Sequence, residues 1–298
     1  MPASLITGLR SVEFEVADIP ASTRFYCDTW QLARTTSVGD ATYLRATGAP
    51  SHVIALHSGP MTALRSVTLN ARDRASVDTL AGRLTAKGVR VIGKPAAINE
   101  PGGGYGCVFL DPEGRVFRVI AEDATHQDTT SHPERPERLA HVVLNSPDNE
   151  TASKFFTDVL DFKLSDRTRI MDFIRCNRDH HNLSFAKGSA ATLNHIAFQM
   201  PTLESVMLGA GRLRDAGYPI EWGVGRHGPG NNVFAYFVAP GDVVVEYTAE
   251  VEVVDDDYQT GYPDDWKWPP GRIDHWGIAP PPSARLKEAQ AKIGFRVG

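Results

Sequence analysis

An α+β fold of two tandem domains, each made of paired strand–helix–strand–strand–strand units, follows from three features of the chain. A short segment recurs four times, the two halves share nearly the same internal spacing, and a polar stretch separates them. The recurring segments are LRSVEFEV (9–16), LRSVTLNA (64–71), LAHVVLNS (139–146) and LNHIAFQM (193–200). Each is an alternating or nearly continuous apolar run rich in Val, Leu, Ile and Phe, the pattern of a strand.

A helix signal follows each strand, in DIPASTRFYCDTW, DRASVDTLAGRLTAKG, DNETASKFFTDVL and TLESVMLGAGRLRDAG. Asp18, Asp148 and Thr202 suit the N-cap, where a side-chain oxygen can accept from an unpaired helical N–H. Gly88 and Gly217 suit the C-terminal stop. Further strands come next, such as YGCVFL with RVFRVIA and NVFAYFV with VVVEYTA. These elements predict an N-terminal domain over 1–122, a linker over 123–138, a second domain over 139–250 and a tail over 251–298. The tail holds PDDWKWPPGRIDHWG and a short charged helix candidate, SARLKEAQAKIGF.

The chain has 298 residues, enough for two ordinary domains, with 42% hydrophobic and 22% charged residues, as in a folded globular protein. A net charge of -5 offers no basic footprint for nucleic acid or an anionic membrane. No apolar run approaches the ~20 residues that span a bilayer. MPASLITGLR has no apolar signal-peptide core, so a cytoplasmic protein is expected. Cys27, Cys107 and Cys176 are too few for a disulfide framework and are expected to be reduced thiols.

Superposing the halves exposes a contrast. Ser11 faces His141, Ser66 faces His195 and Arg118 faces Glu246. The intervals agree within one residue: 55 from Ser11 to Ser66 against 54 from His141 to His195, then 52 against 51. Three candidate metal ligands thus sit at matched places in the second half and are all replaced in the first. Strand alternation puts Leu139, His141, Val143 and Asn145 on one face, opposite Val142 and Leu144. It separates His195 from Ile196 and Phe198, and Glu246 from Val245 and Tyr247. With the apolar sets under the helices, both imidazoles and the carboxylate face one concavity. Two histidines and one carboxylate with open positions are the facial triad of non-haem Fe(II) oxygenases.

Four such units paired in two domains resemble the vicinal oxygen chelate superfamily, in which paired units form a curved, half-open barrel around a divalent metal. MDFIRCNRDHHNLSF and GRHGPGNNVFAYFVAPGDVVVEYTAE further resemble the metal-domain stretches of type I extradiol dioxygenases. The resemblance implies a cytoplasmic, homo-oligomeric enzyme that inserts O2 into a catechol ring by meta-cleavage, giving a muconic semialdehyde-type product. It implies Fe(II), with Mn(II) fitting the same triad. His181 would be the acid–base group, and His227 and Tyr236 would hydrogen-bond the substrate oxygens. Phe173 and Trp222 are candidates for the substrate pocket wall. Alternation along an extended segment puts His180 opposite His181, at the surface. His52 stands in the first half where His181 stands in the second. The tail resembles the active-site cover of homoprotocatechuate-type relatives, with Trp266, Trp268 and Trp276 as anchors and His275 structural. A glyoxalase-like isomerase or lyase and a metal-free binding protein are the competing classes.

Overall fold

The computed structural model describes residues 4–296. The first unit comprises β1 (Ile6–Val16), α1 (Ile19–Arg24), β2 (Ala33–Val38), β3 (Ala41–Arg45) and β4 (Ile54–Ser58). The second comprises β5 (Ala63–Ala71), α2 (Arg74–Ala86), β6 (Val91–Ala97), β7 (Tyr105–Leu110) and β8 (Val116–Ala121). The third and fourth repeat the order, as β9 (Arg138–Ser146), α3 (Asn149–Leu160), β10 (Lys163–Arg167), β11 (Met171–Arg175) and β12 (Leu183–Lys187), then β13 (Thr192–Gln199), α4 (Leu203–Asp215), β14 (Trp222–Arg226), β15 (Val233–Val238) and β16 (Val244–Ala249).

Each half is one eight-stranded sheet, in the orders β2-β3-β4-β1-β5-β8-β7-β6 and β10-β11-β12-β9-β13-β16-β15-β14. The expected α+β architecture is therefore present twice with one topology. In each half two units meet through a central antiparallel pair, β1 with β5 and β9 with β13, and each unit closes by a parallel pairing of its first and last strands.

Helix limits follow the caps. Asp18, Asp148 and Thr202 accept from the backbone N–H groups of Ala21, Thr151 and Ser205. Asp73 does the same for α2 through Ser76. After α2 and α4 the chain turns at Gly88 (φ +73°) and Gly217 (φ +86°), in the left-handed region that favours glycine. The short C-terminal helix, α5 (Ala284–Ala289), is capped by Ser283. It buries Leu286 and Ala289 against Phe234, Tyr236, Val238 and Val244. Cys27, Cys107 and Cys176 are free thiols.

Both halves share one apolar core. From the first half, Trp30 lies against the second sheet, stacked on Tyr247 with ring centroids 3.7 Å apart and edge-on to Phe198 and Phe237. In return, Phe156 of α3 meets Phe117 of β8 edge-on at 4.8 Å. The Tyr247 hydroxyl donates to the Trp30 carbonyl and Arg212 donates to that hydroxyl, so the buried polar atom at this junction is paired. One expectation needs correcting. Leu139 joins the apolar core rather than His141's face, because a bulge in the β9–β13 pairing interrupts the alternation between them.

Trp30 is fully buried at the junction of the halves. Trp30→Ala should cost about 3–5 kcal/mol of stability, read as a lowered urea midpoint. A midpoint within error of the wild type would show that the halves do not depend on this contact.

Candidate metal centre

His141, His195 and Glu246 come from β9, β13 and β16, three adjacent strands. Ala197 is in register with His141 on one side and with Glu246 on the other, while His195 lies opposite Val143. Side chains two apart share a face, so both imidazoles and the carboxylate project together. The alternate residues Val142, Ile196, Phe198, Val245 and Tyr247 go to the apolar core, as the alternation predicts.

One ligand atom from each of the three residues lies within 4.8 Å of the others. The Nε2 atoms of His141 and His195 are each 3.1 Å from the same oxygen, Glu246 Oε2. His141 Nε2 is aligned to hydrogen-bond that oxygen, whereas buried His195 Nε2 has no aligned partner. The other nitrogen of His195, Nδ1, is 2.8 Å from Asn194 Oδ1, which leaves Nε2 with its lone pair toward the centre. Asn232 lies 3.4 Å from Glu246 Oε1 and also donates to Thr248.

The electrostatics fit a cation. Burial pushes the Glu246 carboxyl up, but the adjacent imidazoles of His141 and His195 outweigh it and hold the group well below the usual carboxylate range. Burial lowers His195 against the opposing pull of Glu246. The fully buried Glu246 carboxylate has imidazoles, not a fixed cation, as its charged-pair partners among the described residues, a costly arrangement that a divalent ion between the three donors would relieve. This is the one such group among the described residues.

In the first half, Ser11 pairs with Thr68 as His141 pairs with Ala197, and Arg118 pairs with Thr68 as Glu246 pairs with Ala197. The Arg118 guanidinium makes ion pairs with Glu13 and Glu100. Burial pushes Glu13 up, but His57 and Arg118 prevail and bring it down to about 2. A side-chain cation occupies this concavity.

The other predicted residues gather around the triad. Rings of His181 and His141 have centroids 4.4 Å apart, and Phe173 is edge-on to His181 at 5.3 Å. Burial, and then the neighbouring imidazoles, lower His181 well below its usual value, which favours a neutral ring. His227 Nε2 is 3.0 Å from the Tyr236 hydroxyl, and Tyr236 is edge-on to His195 at 5.0 Å. Burial and then the Glu246 carboxylate raise Tyr236 well above its usual value, so its hydroxyl keeps its proton. Trp222 stacks on Tyr236 at 5.1 Å and lies 5.3 Å from His227. A cavity of about 910 Å³ lies elsewhere, lined by residues such as Arg72, Arg83 and Cys176. Tail residues Trp266 and Trp268 pack on Gly228, and Arg226 lies over the Trp276 ring, so all three meet the segment that carries His227. His275 donates its backbone N–H to the Arg226 carbonyl.

The expectation for His180 is overturned. It is fully buried, with Nδ1 3.0 Å from His181 Nδ1 and Nε2 2.7 Å from Asp166 Oδ2. Both histidines sit in the turn between β11 and β12, where strand alternation does not apply, so both rings go inward. Asp166, Asn194 and Asn232 were not singled out in the sequence. The contrast between halves that marked the ligands was available for Asp166, whose partner strand pairs it with Phe173 as Thr36 is paired with Tyr43.

The glyoxalase/bleomycin resistance protein/dioxygenase superfamily matches residues 138–247. Metapyrocatechase 2 of Cupriavidus necator is 30% identical over 196 residues, 58% of this chain and 60% of that protein. Biphenyl-2,3-diol 1,2-dioxygenase of Metapseudomonas furukawaii is 27% identical over 84% of this chain and 88% of its own length. Among solved structures, the Mn(II)-bound glyoxalase from Novosphingobium aromaticivorans is 38% identical over 95% of this chain and 94% of its own, with a TM-score of 0.87.

The geometry predicts a single tightly held divalent ion per chain by elemental analysis. His141→Ala, His195→Ala and Glu246→Ala should each lose that ion yet remain folded, because the cup side chains stand outside the main apolar core. A second tight ion, or retention by all three variants, would contradict the site.

Proposed function

We propose that this chain, which belongs to the glyoxalase/bleomycin resistance protein/dioxygenase superfamily, is an Fe(II)-dependent extradiol dioxygenase that opens a catecholic ring beside its hydroxyl-bearing carbons. The observation that carries the proposal is the surround of the triad. A neutral buried imidazole, His181, faces it from one side, and Tyr236, whose hydroxyl keeps its proton and lies against His227 Nε2, faces it from the other. The relatives named metapyrocatechase 2 and biphenyl-2,3-diol 1,2-dioxygenase support the same class of substrate.

His141, His195 and Glu246 would hold the ion, and Mn(II) suits the same donors. When bound, Fe(II) supplies a centre at which a catechol's two oxygens and O2 can be brought together. His181 would accept the proton of the second catechol hydroxyl and later return it, as a neutral imidazole poised for general acid–base work. Tyr236 and His227 would hydrogen-bond a substrate oxygen and stabilise negative charge that develops on it. Phe173 and Trp222 would flank the ring. We further assign 1–122 as a metal-free supporting domain, 123–138 as a linker, 139–250 as the catalytic domain and 251–298 as the active-site cover. A homo-oligomer in the cytoplasm accords with this assignment. No described helix is long and apolar enough to cross a membrane.

A glyoxalase-like isomerase is the second reading, favoured by the name of the 38% identical solved structure. The two separate on one measurement. Protein loaded anaerobically with Fe(II) should consume O2 with substituted catechols and form a coloured ring-opened product. Isomerisation of a hemithioacetal without O2 uptake, and no catechol turnover, would favour the isomerase. Within the dioxygenase reading, His181→Asn should keep its metal and bind catechol nearly as before, yet turn over about 10²–10⁴-fold more slowly. Unchanged turnover would remove His181 from the mechanism.

A further inference from the structure

We infer that Asp166 and His180 are the positioning pair for His181, setting which of its ring nitrogens is bare and faces the metal centre. The inference rests on the role proposed above for His181. It starts from a chain of buried contacts: Asp166 Oδ2 to His180 Nε2 at 2.7 Å, then His180 Nδ1 to His181 Nδ1 at 3.0 Å. Asp166 and His180 are both fully buried, and His181 is 4% exposed, so water does not take the place of these partners.

The proton positions follow from what each atom can do. A carboxylate only accepts, so His180 Nε2 must donate to Asp166. In a neutral ring the other nitrogen then carries a lone pair, so His180 Nδ1 must accept from His181 Nδ1–H. The bare nitrogen of His181 is therefore Nε2. Proton transfer would break a substrate O–H bond and form an Nε2–H bond, with the charge on the His181 imidazolium. His181 Nδ1–H would keep its bond to His180, and Asp166 would remain a carboxylate. The same logic orients the base in hydrolase triads, where the carboxylate sets the tautomer without taking up the proton.

Asp166 is itself held by the tail. Gly261 N–H donates to Oδ1 at 2.7 Å and the Tyr258 hydroxyl donates to Oδ2 at 3.2 Å. Val254 N–H reaches the Arg178 carbonyl, and His180 N–H reaches the Glu252 carbonyl, which fix the turn from the same side. Across the pair, Gly230 sits at φ +77°, where an added Cβ would lie 3.0–3.1 Å from His181 Cε1 and from both Nδ1 atoms. The backbone thus closes directly on the two rings.

The first half supplies an internal control. Thr36 and Ser51 stand where Asp166 and His180 stand, and His52 stands where His181 stands. There the Nε2 atom of His52 lies 3.1 Å from the Arg10 guanidinium, and Nδ1 lies 3.2 Å from Ser51 Oγ. Arg10 has only donors, so it occupies the lone pair that His181 keeps free. The Asp–His pair and the metal triad occur in the same half and are both missing from the other.

Nitrogen NMR of the histidine side chains in Zn(II)-loaded protein tests the pair without any turnover. His181 should carry its proton on Nδ1 and His180 on Nε2. In Asp166→Asn, the Gly261 N–H holds the amide oxygen, so the amide NH2 faces His180 and both tautomers should reverse. In the Fe(II) enzyme, that variant should lose about 10²-fold or more in kcat, with metal content and catechol affinity nearly unchanged. The loss should shrink for a nitro-substituted catechol, whose second hydroxyl gives up its proton more readily. The wild-type spectrum decides the matter even if Asp166→Asn fails to fold: opposite tautomers there overturn the inference. So would a folded Asp166→Asn with wild-type kcat, or an equal loss on both catechols with unchanged tautomers. Absence of O2 uptake by the wild type would remove the dioxygenase assignment, while the tautomer spectrum would still stand or fall by itself.

Discussion

Ala197 of β13 is paired with His141 on one neighbouring strand and with Glu246 on the other, and this register is the constraint on which the centre depends. A slip of one residue in either ladder would carry a ligand to the opposite face and put a valine or tyrosine of the core in its place. The small side chain at 197 leaves room between the ligands, and β9, β13 and β16 lie at the middle of the sheet, where both edges are paired. A carboxylate and two imidazoles are thereby brought together out of water, an arrangement that stays costly until a cation joins it.

The first half supports that register from behind. Tyr247 follows Glu246 and points to the core, where Trp30 of the other half stacks on it at 3.7 Å. The aromatic contact and the paired Tyr247 hydroxyl hold the strand that bears the carboxylate ligand. The duplicated half has meanwhile kept the fold and replaced the cup's contents by ion pairs centred on Arg118. A guanidinium between two carboxylates meets the same electrostatic need as a metal between donors, while leaving no open coordination position.

The tail links these layers to the proton-handling side. Its first residues pair with the turn that carries His180 and His181, its middle supplies Gly261 and Tyr258 to Asp166, and its tryptophans pack beside His227. Groups on opposite sides of the triad are thus braced by one continuous segment. Removing the tail would expose more than a rim: it would strip Asp166 of two of its hydrogen-bond donors.

Much of this was legible in the amino-acid order. Four strand segments, capped helices and two spacings matched to within one residue determine the unit and its duplication, because period-two alternation and capping chemistry are local. The contrast of His141, His195 and Glu246 with Ser11, Ser66 and Arg118 located the candidate ligands, since matched positions in a repeat meet matched surroundings. His180 shows where local rules stop. Its alternation with His181 holds only for an extended strand, and the chain forms a turn there, so both rings enter the interior. Leu139 shifts faces for a related reason, a bulge that only strand pairing creates. Asp166, some 14 residues before His180, becomes its partner only when β10, β11 and the following turn fold together. Which atoms of distant residues share protons is decided by the tertiary structure, because a hydrogen bond depends on distance and direction that no local pattern encodes.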